Sequence, residues 1–412
     1  MKFLIRNFGC RATQADGAEL AAELAARGCH ATHQASEADL VILNTCTVTA
    51  SADEDVRREV RRVRRANPSA QLVVTGCYAQ RAPAEAARLP GVSRVVGHSD
   101  KMRIPDILGV QPGPEPGSTI QDRTRPNLKI QDGCNNHCTF CIIPSLRGRS
   151  ISTPPERVVE QVRRLAGSCR EVVLSGVNLG RWGREPAIRM RLADLLRRLL
   201  AETRIERLRL SSVEPMDLTD DLLGLMASTP RIAKHVHAPL QSGSDAVLRR
   251  MRRWYRAKHY ADRIRKARQW MPEAAIGADV MVGFPGETEA EFDQTRALIE
   301  ELPFTYLHVF TYSARPGTPA AGMPDQVPIR ERKRRNQVLR RIAAAKNLAF
   351  RRSLADKRLS AVTIDDGSVA LTTNYLKVRL TPPREPNQMI EVELTEGLVE
   401  VGEDVFHCLD AG

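Results

Sequence analysis

The first hundred residues alternate between short apolar runs and longer polar stretches. The apolar runs lie at 3–8, 40–43 and 72–75, and each is followed by a polar or helical segment. Such alternation is typical of a parallel β-sheet that is covered by helices. The sequence therefore predicts an N-terminal βα domain over residues 1–110, which ends before the Pro/Gly-rich linker 111–117.

A second series of strands and helices begins at residue 128. The predicted strands lie at 128–131, 171–175, 205–211, 234–239, 275–282 and 305–311. The predicted helices lie at 154–166, 191–202, 219–228, 244–270 (as two helices) and 288–301. Capping boxes are predicted at 153–156 and 288–291. Six repeats are too few for a closed eight-stranded barrel, so we expect a partial (β/α)6 barrel over 120–350, with its site at the carboxyl ends of the strands.

A basic helix at 329–357 leads into a tail of short runs in which apolar and polar positions alternate. These runs lie at 361–364, 369–373, 375–380, 390–394, 398–401 and 405–408. Alternation with period two and turn residues between the runs predicts a small antiparallel β-barrel over 352–412. The expected fold class of the whole chain is therefore α/β.

The net charge of +13 favours a polyanionic partner such as nucleic acid. Basic residues cluster at 57–65, 249–268 and 330–341, although solvated helix faces show the same pattern. Only 4% of the residues are aromatic, which argues against a track of stacked aromatic side chains. No apolar stretch suits a signal peptide or a membrane span, so we expect a cytoplasmic protein without a membrane partner.

Three cysteines lie in one short loop after the predicted strand 128–131, namely Cys134, Cys138 and Cys141. A structural zinc site normally takes four protein ligands, and a closed 4Fe-4S cluster takes four cysteines. Three thiolates leave one iron of such a cluster open to a small molecule. The spacing therefore favours an open 4Fe-4S cluster, with structural zinc as the alternative.

Three further cysteines follow the three strands of the predicted N-terminal sheet: Cys10, Cys46 and Cys77. Because the carboxyl ends of parallel strands share one edge, we expect these thiols to converge on a second metal centre. The remaining cysteines are expected to pack as small apolar residues: Cys29, Cys169 and Cys408. Three histidines are predicted to be structural rather than metal ligands: His137, His235 and His237.

The spacing Cys-x-x-x-Cys-x-aromatic-Cys at 134–141 resembles that of the radical S-adenosylmethionine (SAM) enzymes. With the cysteine-ended βα domain and the β tail, essentially the whole chain resembles the methylthiotransferases of that superfamily. Further matching stretches lie at 44–46, 75–80, 239–244, 283–288 and 312–319. The tail resembles the TRAM domain, with Thr-Asn-Tyr at 373–375, but 11–14 reads Arg-Ala-Thr-Gln where the family usually has a Lys-Val-Asn-Gln type of run.

The resemblance implies two 4Fe-4S clusters and SAM as cofactors. The cysteines of the 134–141 loop would hold the cluster that binds SAM, and Cys10, Cys46 and Cys77 would hold an auxiliary cluster. One SAM molecule would methylate a sulfur on the auxiliary cluster, and another would supply a 5′-deoxyadenosyl radical that removes hydrogen from the substrate. No catalytic side chain beyond the cluster ligands is implied. A low-potential electron donor and a sulfur source are the expected partners.

Residues at the strand ends of the predicted barrel are expected to contact SAM, because glycine there permits close approach of the backbone. Phe140 is expected to pack against the adenine. The other expected contacts are Ser175, Gly176, Asn178, Ser212, Glu214, Gln241, Ser242, Gly243, Gly283, Pro285 and Gly286.

The resemblance leaves the substrate open between an adenosine beside the tRNA anticodon and an aspartate of a ribosomal protein. The basic charge favours tRNA. The stretches at 45–49, 76–80 and 210–215 are more similar to the type that acts on N6-threonylcarbamoyladenosine than to the type that acts on N6-isopentenyladenosine. Reaction at C2 would require an unstacked base. A non-catalytic RNA-binding metalloprotein is the alternative from a different class.

Overall fold

The computed structural model describes residues 1–119 and 124–394. Its N-terminal part is a five-stranded parallel sheet in the order β2-β1-β3-β4-β5. The strands are β1 (Lys2–Asn7), β2 (His30–Ala31), β3 (Leu40–Thr45), β4 (Gln71–Gly76) and β5 (Arg94–Val95). The helices are α1 (Arg11–Ala26), α2 (Ala50–Ala66), α3 (Cys77–Arg81), α4 (Pro83–Ala87) and α5 (Ile104–Ile107).

The central strand of this sheet is buried on both faces. Leu40 and Ile42 of β3 pack under α1, whereas Val41 and Leu43 pack under α2. A strand between two helical layers reads as a continuous apolar run rather than as an alternating one. This explains why the apolar runs of the sequence predict these strands.

The middle part contains six parallel strands in sequence order, which confirms the predicted barrel strands. They form two sheets, β6-β8-β9 and β10-β11-β12, which meet through a parallel bridge between Leu208 and Ile232. The strands are β6 (Asn127–Asp132), β7 (Ile151–Ser152), β8 (Glu171–Gly176), β9 (Arg207–Leu210), β10 (His235–His237), β11 (Ala275–Val282) and β12 (Tyr306–Thr311). The short β7 pairs antiparallel with β6.

Helices cover the outside of these strands and enclose the largest apolar core among the described residues. They are α6 (Ile143–Arg147), α7 (Pro155–Leu165), α8 (Leu192–Glu202), α9 (Asp220–Ser228), α10 (Asp245–Arg250), α11 (Ala257–Trp270), α12 (Glu289–Glu301) and α13 (Ile329–Arg352). The stretch 244–270 forms two helices, as predicted. Of the helices in the described part of the chain, none is both long and apolar enough to cross a membrane.

The two predicted capping boxes have different outcomes. At the start of α12, Thr288 Oγ1 accepts from the Glu291 amide, and Glu291 Oε2 accepts from the Thr288 amide, as predicted. The prediction at 153–156 is wrong, because Pro154 occupies the N-cap position and provides no side-chain cap. Thr153 instead donates its amide to Ile130 of β6, which extends the strand pairing.

The tail is a small antiparallel sheet in the order β15-β14-β13-β16. Its strands are β13 (Arg358–Ile364), β14 (Val369–Thr372), β15 (Lys377–Arg379) and β16 (Met389–Glu393). The basic helix before it ends at Arg352, five residues earlier than expected. The predicted runs at 398–401 and 405–408, with Cys408, lie outside the described residues. Cys29 and Cys169 are buried in apolar clusters, as predicted.

Candidate active site

A cavity of about 430 Å³ lies where the N-terminal domain, the barrel and the tail meet. Cys134, Cys138 and Cys141 border it from the barrel, Cys10 borders it from the N-terminal domain, and Tyr375 reaches it from the tail. Its volume is in the range of small-molecule sites. The three cysteines of the barrel loop and one cysteine of the second group, Cys10, therefore border the same cavity.

The cysteine loop of the barrel is anchored by backbone contacts to the end of α10. The Thr139 amide donates to the Met251 carbonyl at 3.1 Å, and Thr139 Oγ1 donates to the Arg250 carbonyl at 2.9 Å. The Cys141 amide donates to the Cys138 carbonyl at 3.0 Å, which closes the turn. The loop is thus held in a compact form that turns three thiols to one side.

Burial, together with the neighbouring thiols Cys138 and Cys134, raises the pKa of the Cys141 thiol to about 12. Burial also raises the pKa of Cys138, although Arg253 opposes this by donating from Nη1 to the sulfur at 3.3 Å. Three cysteines in one loop can be thiolates together only if a multivalent positive group lies between them. This donor set fits an iron–sulfur cluster with three cysteine ligands.

The second cysteine group lies at one edge of the N-terminal sheet. Cys10 caps the start of α1 after β1, Cys46 directly follows β3, and Cys77 begins α3 after β4. A side chain at Gly9, whose φ is +102°, would place its Cβ 2.7 Å from Cys46 Sγ. Only glycine therefore permits this turn and lets Cys10 lie close to Cys46. Burial raises the pKa of Cys46 to about 12, with Cys10 and Cys77 adding to the shift.

A buried charge network joins α1 to the barrel beside the second cysteine group. Asp16 is 2% exposed and accepts from Lys101 at 2.7 Å and from Arg147 at 3.1 Å. Lys129 of β6 also donates to this carboxylate. Arg147 in turn donates to both carboxylate oxygens of Asp132. The network fixes the N-terminal domain against the open side of the barrel.

A second network ties the loop after Cys46 to the barrel. Arg315, which is 4% exposed, donates to Thr47 Oγ1 at 2.8 Å and also to Asp53. Arg81 donates to the same two side chains. The loop that carries Cys46 thus has its position set by a barrel residue, Arg315.

Half of the residues predicted to contact SAM border the cavity: Phe140, Gly176, Asn178, Ser212, Glu214 and Gln241. Asn178 donates to Cys134 Sγ at 3.8 Å, while its Oδ1 is buried without a partner in the described structure. Ser211 Oγ is a second cavity atom of this kind. Buried polar atoms without partners are expected where a ligand supplies the missing hydrogen bonds.

The other predicted SAM residues are not among those that border the cavity: Ser175, Ser242, Gly243, Gly283, Pro285 and Gly286. Ser175 Oγ donates to the Leu128 carbonyl, and Ser242 Oγ bonds to Thr295 Oγ1. The Gly283 amide donates to Glu287 at 2.6 Å. These residues shape the loops at the strand ends, and their contact with SAM stays a prediction.

The sequence did not predict a polar cluster on β10, β11 and β12. Tyr306 Oη bonds to His235 Nε2 at 2.7 Å and to His237 Nδ1 at 2.8 Å. Asp279 Oδ1 lies 3.1 Å from His237 and 3.2 Å from His308. Burial alone would raise the pKa of Asp279, but the two histidines lower it on balance.

This His–Tyr–Asp cluster borders the cavity, and its groups already bond to one another. His237, Asp279 and His308 have the spacing of a possible metal site, because their ligand atoms lie within 4.8 Å of one another. Asp279 and His308 are direct cross-strand partners in β11 and β12. The sequence alone does not predict this pair, because the pairing depends on the register between β11 and β12. The one sequence signal for the cluster is the His-x-His stretch on β10.

The tail reaches the cavity through the turn between β14 and β15. The carbonyls of Thr372 and Thr373 accept from the buried Arg209 guanidinium at 3.0 and 3.2 Å. The Tyr375 ring stacks on His235 with the ring centroids 4.3 Å apart. Tyr375 also accepts a hydrogen bond from Arg11 at 3.0 Å. The Thr-Asn-Tyr stretch of the tail therefore forms part of the cavity wall.

An open barrel with three cysteines in the loop after its first strand defines a radical SAM enzyme. Residues 128–299 match the model of the radical SAM superfamily, and residues 2–97 match the Uncharacterized protein family UPF0004. The radical SAM methyltransferase TsrM of Kitasatospora setae has a similar fold, with a TM-score of 0.56, 16% identity and coverage of 78% of this chain and 76% of that one. The cobalamin-dependent SAM radical enzyme OxsB has a TM-score of 0.51 at 10% identity, covering 84% of this chain and 56% of that one.

Relatives define the family more closely. The threonylcarbamoyladenosine tRNA methylthiotransferase MtaB of Bacillus subtilis is 40% identical over 83% of this chain and 82% of its own length. MtaB of Aquifex aeolicus is 34% identical over 95% and 100%. The tRNA-2-methylthio-N6-dimethylallyladenosine synthase of Syntrophobacter fumaroxidans is 35% identical over 96% and 92%. The chain belongs to the radical SAM tRNA methylthiotransferases.

Proposed function

We propose that this enzyme transfers a methylthio group to C2 of N6-threonylcarbamoyladenosine at position 37 of tRNA. The observation that carries the proposal is the single cavity, bordered by Cys10 on one side and by the three cysteines of the barrel loop on another. Joining a sulfur group to an unactivated carbon requires that a radical source and a sulfur donor reach the same atom. A cavity that Cys10 shares with the three cysteines of the barrel loop supports such a meeting of the two groups.

Cys134, Cys138 and Cys141 would hold the cluster that binds SAM, and Cys10, Cys46 and Cys77 would hold the auxiliary cluster. When bound, these groups supply the electron that cleaves SAM and the sulfur that is transferred. The chain itself binds and orients. Glu214 and the unpartnered Asn178 Oδ1 offer acceptors to the amine or hydroxyl groups of SAM, while Arg253 holds Glu214 in place.

Two observations favour tRNA as the substrate over a ribosomal-protein aspartate. The net charge of +13 suits a polyanion. The tail, of a kind common in nucleic-acid binding, contributes a wall to the cavity, so RNA held by the tail would have its base beside the cysteines. Relatives named MtaB support threonylcarbamoyladenosine as the substrate. Relatives named as dimethylallyladenosine synthases make isopentenyladenosine the second candidate substrate.

The modified nucleosides of cellular tRNA test the substrate directly. Mass spectrometry of tRNA from cells that lack this gene should show loss of the 2-methylthio derivative of threonylcarbamoyladenosine, with the unmodified precursor retained. Re-expression of the wild-type chain should restore the derivative. Loss of the 2-methylthio isopentenyl nucleoside instead would refute the substrate, although it would leave the reaction type intact.

Metal content tests the chemistry against the non-catalytic alternative. Protein purified without oxygen should contain about eight irons per chain, with matching acid-labile sulfide. Two zinc ions without labile sulfide would instead support a structural RNA-binding protein. The partners that we propose, beyond tRNA, are a low-potential electron donor and a sulfur source in the cytoplasm.

A further inference from the structure

Arg11 differs from the other two arginines that border the cavity. Arg147 is paired with Asp16 and Asp132, and Arg253 is paired with Glu214. Arg11 donates one hydrogen bond, to Tyr375 Oη at 3.0 Å, and forms no salt bridge within residues 1–119 and 124–394. The cavity therefore presents one guanidinium whose charge has no protein partner there.

The surroundings of Arg11 add to this positive charge. Behind the Tyr375 ring, the guanidiniums of the buried Arg207 and Arg209 and the partly buried Arg125 share the single carboxylate of Glu171. The Arg209 guanidinium lies 5.4 Å from the centre of the Tyr375 ring. This wall of the cavity thus carries excess positive charge, which favours an anionic ligand.

His235, which lies beside this wall, does not add positive charge to it. Burial lowers the pKa of His235 well below its usual value, and the nearby Arg209 and Arg11 lower it further. His235 is therefore neutral at physiological pH. The guanidinium of Arg11, held by the tail through Tyr375, is left as the group that can pair with an anion from the ligand.

We infer that Arg11 binds the carboxylate of the threonyl group on N6 and thereby selects this adenosine over one whose N6 substituent is uncharged. The inference rests on the proposed function. An isopentenyl group in the same place would leave the guanidinium desolvated and unpaired, which penalises that substrate. Specificity then comes from attraction of one substrate and rejection of the other.

The position of Arg11 also fits the site of reaction. On the adenine ring, C2 and the N6 substituent lie on the same edge, on either side of N1. Arg11 directly follows Cys10 in the chain, and both border the cavity. A carboxylate held by Arg11 therefore turns the edge that carries C2 toward the cysteine group from which sulfur would be transferred.

A neutral analogue of the substrate tests this inference. Reconstituted holoenzyme would be given two anticodon stem-loop RNAs, one with threonylcarbamoyladenosine and one with its threonine carboxamide. Wild type should prefer the acid by about 10- to 100-fold in kcat/KM, mostly through KM, as expected for a hydrogen-bonded ion pair. Arg11→Gln should bring the two substrates to near parity, and Arg11→Lys should restore part of the preference.

Two control variants make the result specific. Arg27→Gln removes the same charge from the opposite end of α1, about 24 Å away, and should leave the acid-to-amide ratio unchanged. Iron content and SAM cleavage without RNA report whether Arg11→Gln retains its clusters. If Arg11→Gln loses its clusters, Tyr375→Phe becomes the variant that tests the inference, because it removes only the hydroxyl that holds Arg11. Tyr375→Phe should lower the preference for the acid over the amide several-fold.

Three outcomes would overturn the inference. If wild type methylthiolates the acid and the amide with equal kcat/KM, the role of Arg11 is refuted and the proposed function still stands. If Arg11→Gln keeps its clusters and still prefers the acid as wild type does, the role of Arg11 is refuted in the same way. If Arg11→Gln loses its clusters, an unchanged preference in Tyr375→Phe refutes it instead. Failure of wild type to convert either RNA refutes the proposed function itself.

Discussion

Arg253 is the residue on which two parts of the barrel site depend. Its side chain is 5% exposed and donates to Cys138 Sγ and to Glu214, while its Nε lies 3.2 Å from Tyr255 Oη. Burying a guanidinium is favourable only when such partners are present. Arg253 therefore orders both Cys138 and the acidic residue that we expect to contact SAM.

Replacement of Arg253 by Met should lower the free energy of unfolding of the apoprotein by about 3 kcal/mol, because Glu214 loses its partner. Reductive SAM cleavage by the reconstituted variant should fall at least tenfold, with most of the change in the KM for SAM. Arg252→Met is the matched control, since Arg252 is exposed. Equal SAM kinetics in the Arg253 variant and the control would contradict this role.

The backbone of β11 lies against an aromatic ring of the neighbouring strand β12. Gly277 lies opposite Tyr306, and a Cβ at Gly277 would overlap the Tyr306 ring. Tyr306 in turn holds His235 and His237 through its hydroxyl. A glycine in the middle of a strand is thus required for the His–Tyr–Asp cluster on the cavity wall.

We expect Gly277→Ala to displace Tyr306 and to lower the free energy of unfolding by about 1–3 kcal/mol, as overpacking does. Methylthio transfer should fall, whereas the iron content should stay unchanged, because no cysteine loop is touched. Gly322→Ala is the control, since a Cβ there meets no atom within 4 Å. Thermal and denaturant unfolding of both variants would show the difference, and equal stability would contradict the packing argument.

The elements of this fold follow from local patterns more completely than the site does. Apolar periodicity predicts the strands, and the position of each cysteine after a strand predicts the convergence of Cys10, Cys46 and Cys77, because parallel strands share an edge. The contact between Asp279 and His308 depends on the register of β11 and β12. The hydrogen bond between Arg11 and Tyr375 depends on how the N-terminal domain packs against the tail. Neither kind of contact has a local signal in the sequence.

At the scale of the whole molecule, the cavity exists only because three parts of the chain close around it. Asp16 of the N-terminal domain accepts from Lys129 and Arg147 of the barrel, and also from Lys101 of its own domain. Burial alone would raise the pKa of Asp16, but these three cations outweigh it and lower the pKa below 3.8. Its charge therefore stabilises the folded chain.

Asp16→Asn should lower the free energy of unfolding of the apoprotein by about 3 kcal/mol near neutral pH, because three buried cations lose their counter-charge. A carboxyl whose pKa is lowered by folding stabilises fully above its unfolded pKa. The difference between wild type and variant should thus be constant from about pH 5 to 7 and shrink below about pH 4. Asp55→Asn, at a position whose side chain is about half exposed, should show little change.

The two cysteine groups should have separable roles if the reaction takes place between them. Cys46→Ala removes a thiol of the second group alone, and Cys138→Ala removes a thiol of the barrel loop alone. The Cys138 variant should lose SAM cleavage altogether. The Cys46 variant should keep it, because the barrel loop and the residues expected to contact SAM are untouched.

The most direct measurement of the central claim is therefore product analysis of the Cys46→Ala holoenzyme, with SAM, a reductant and substrate tRNA. We predict 5′-deoxyadenosine at a rate close to that of wild type and no methylthiolated nucleoside. Methylthiolated tRNA from this variant would contradict the claim that the second cysteine group takes part in transfer.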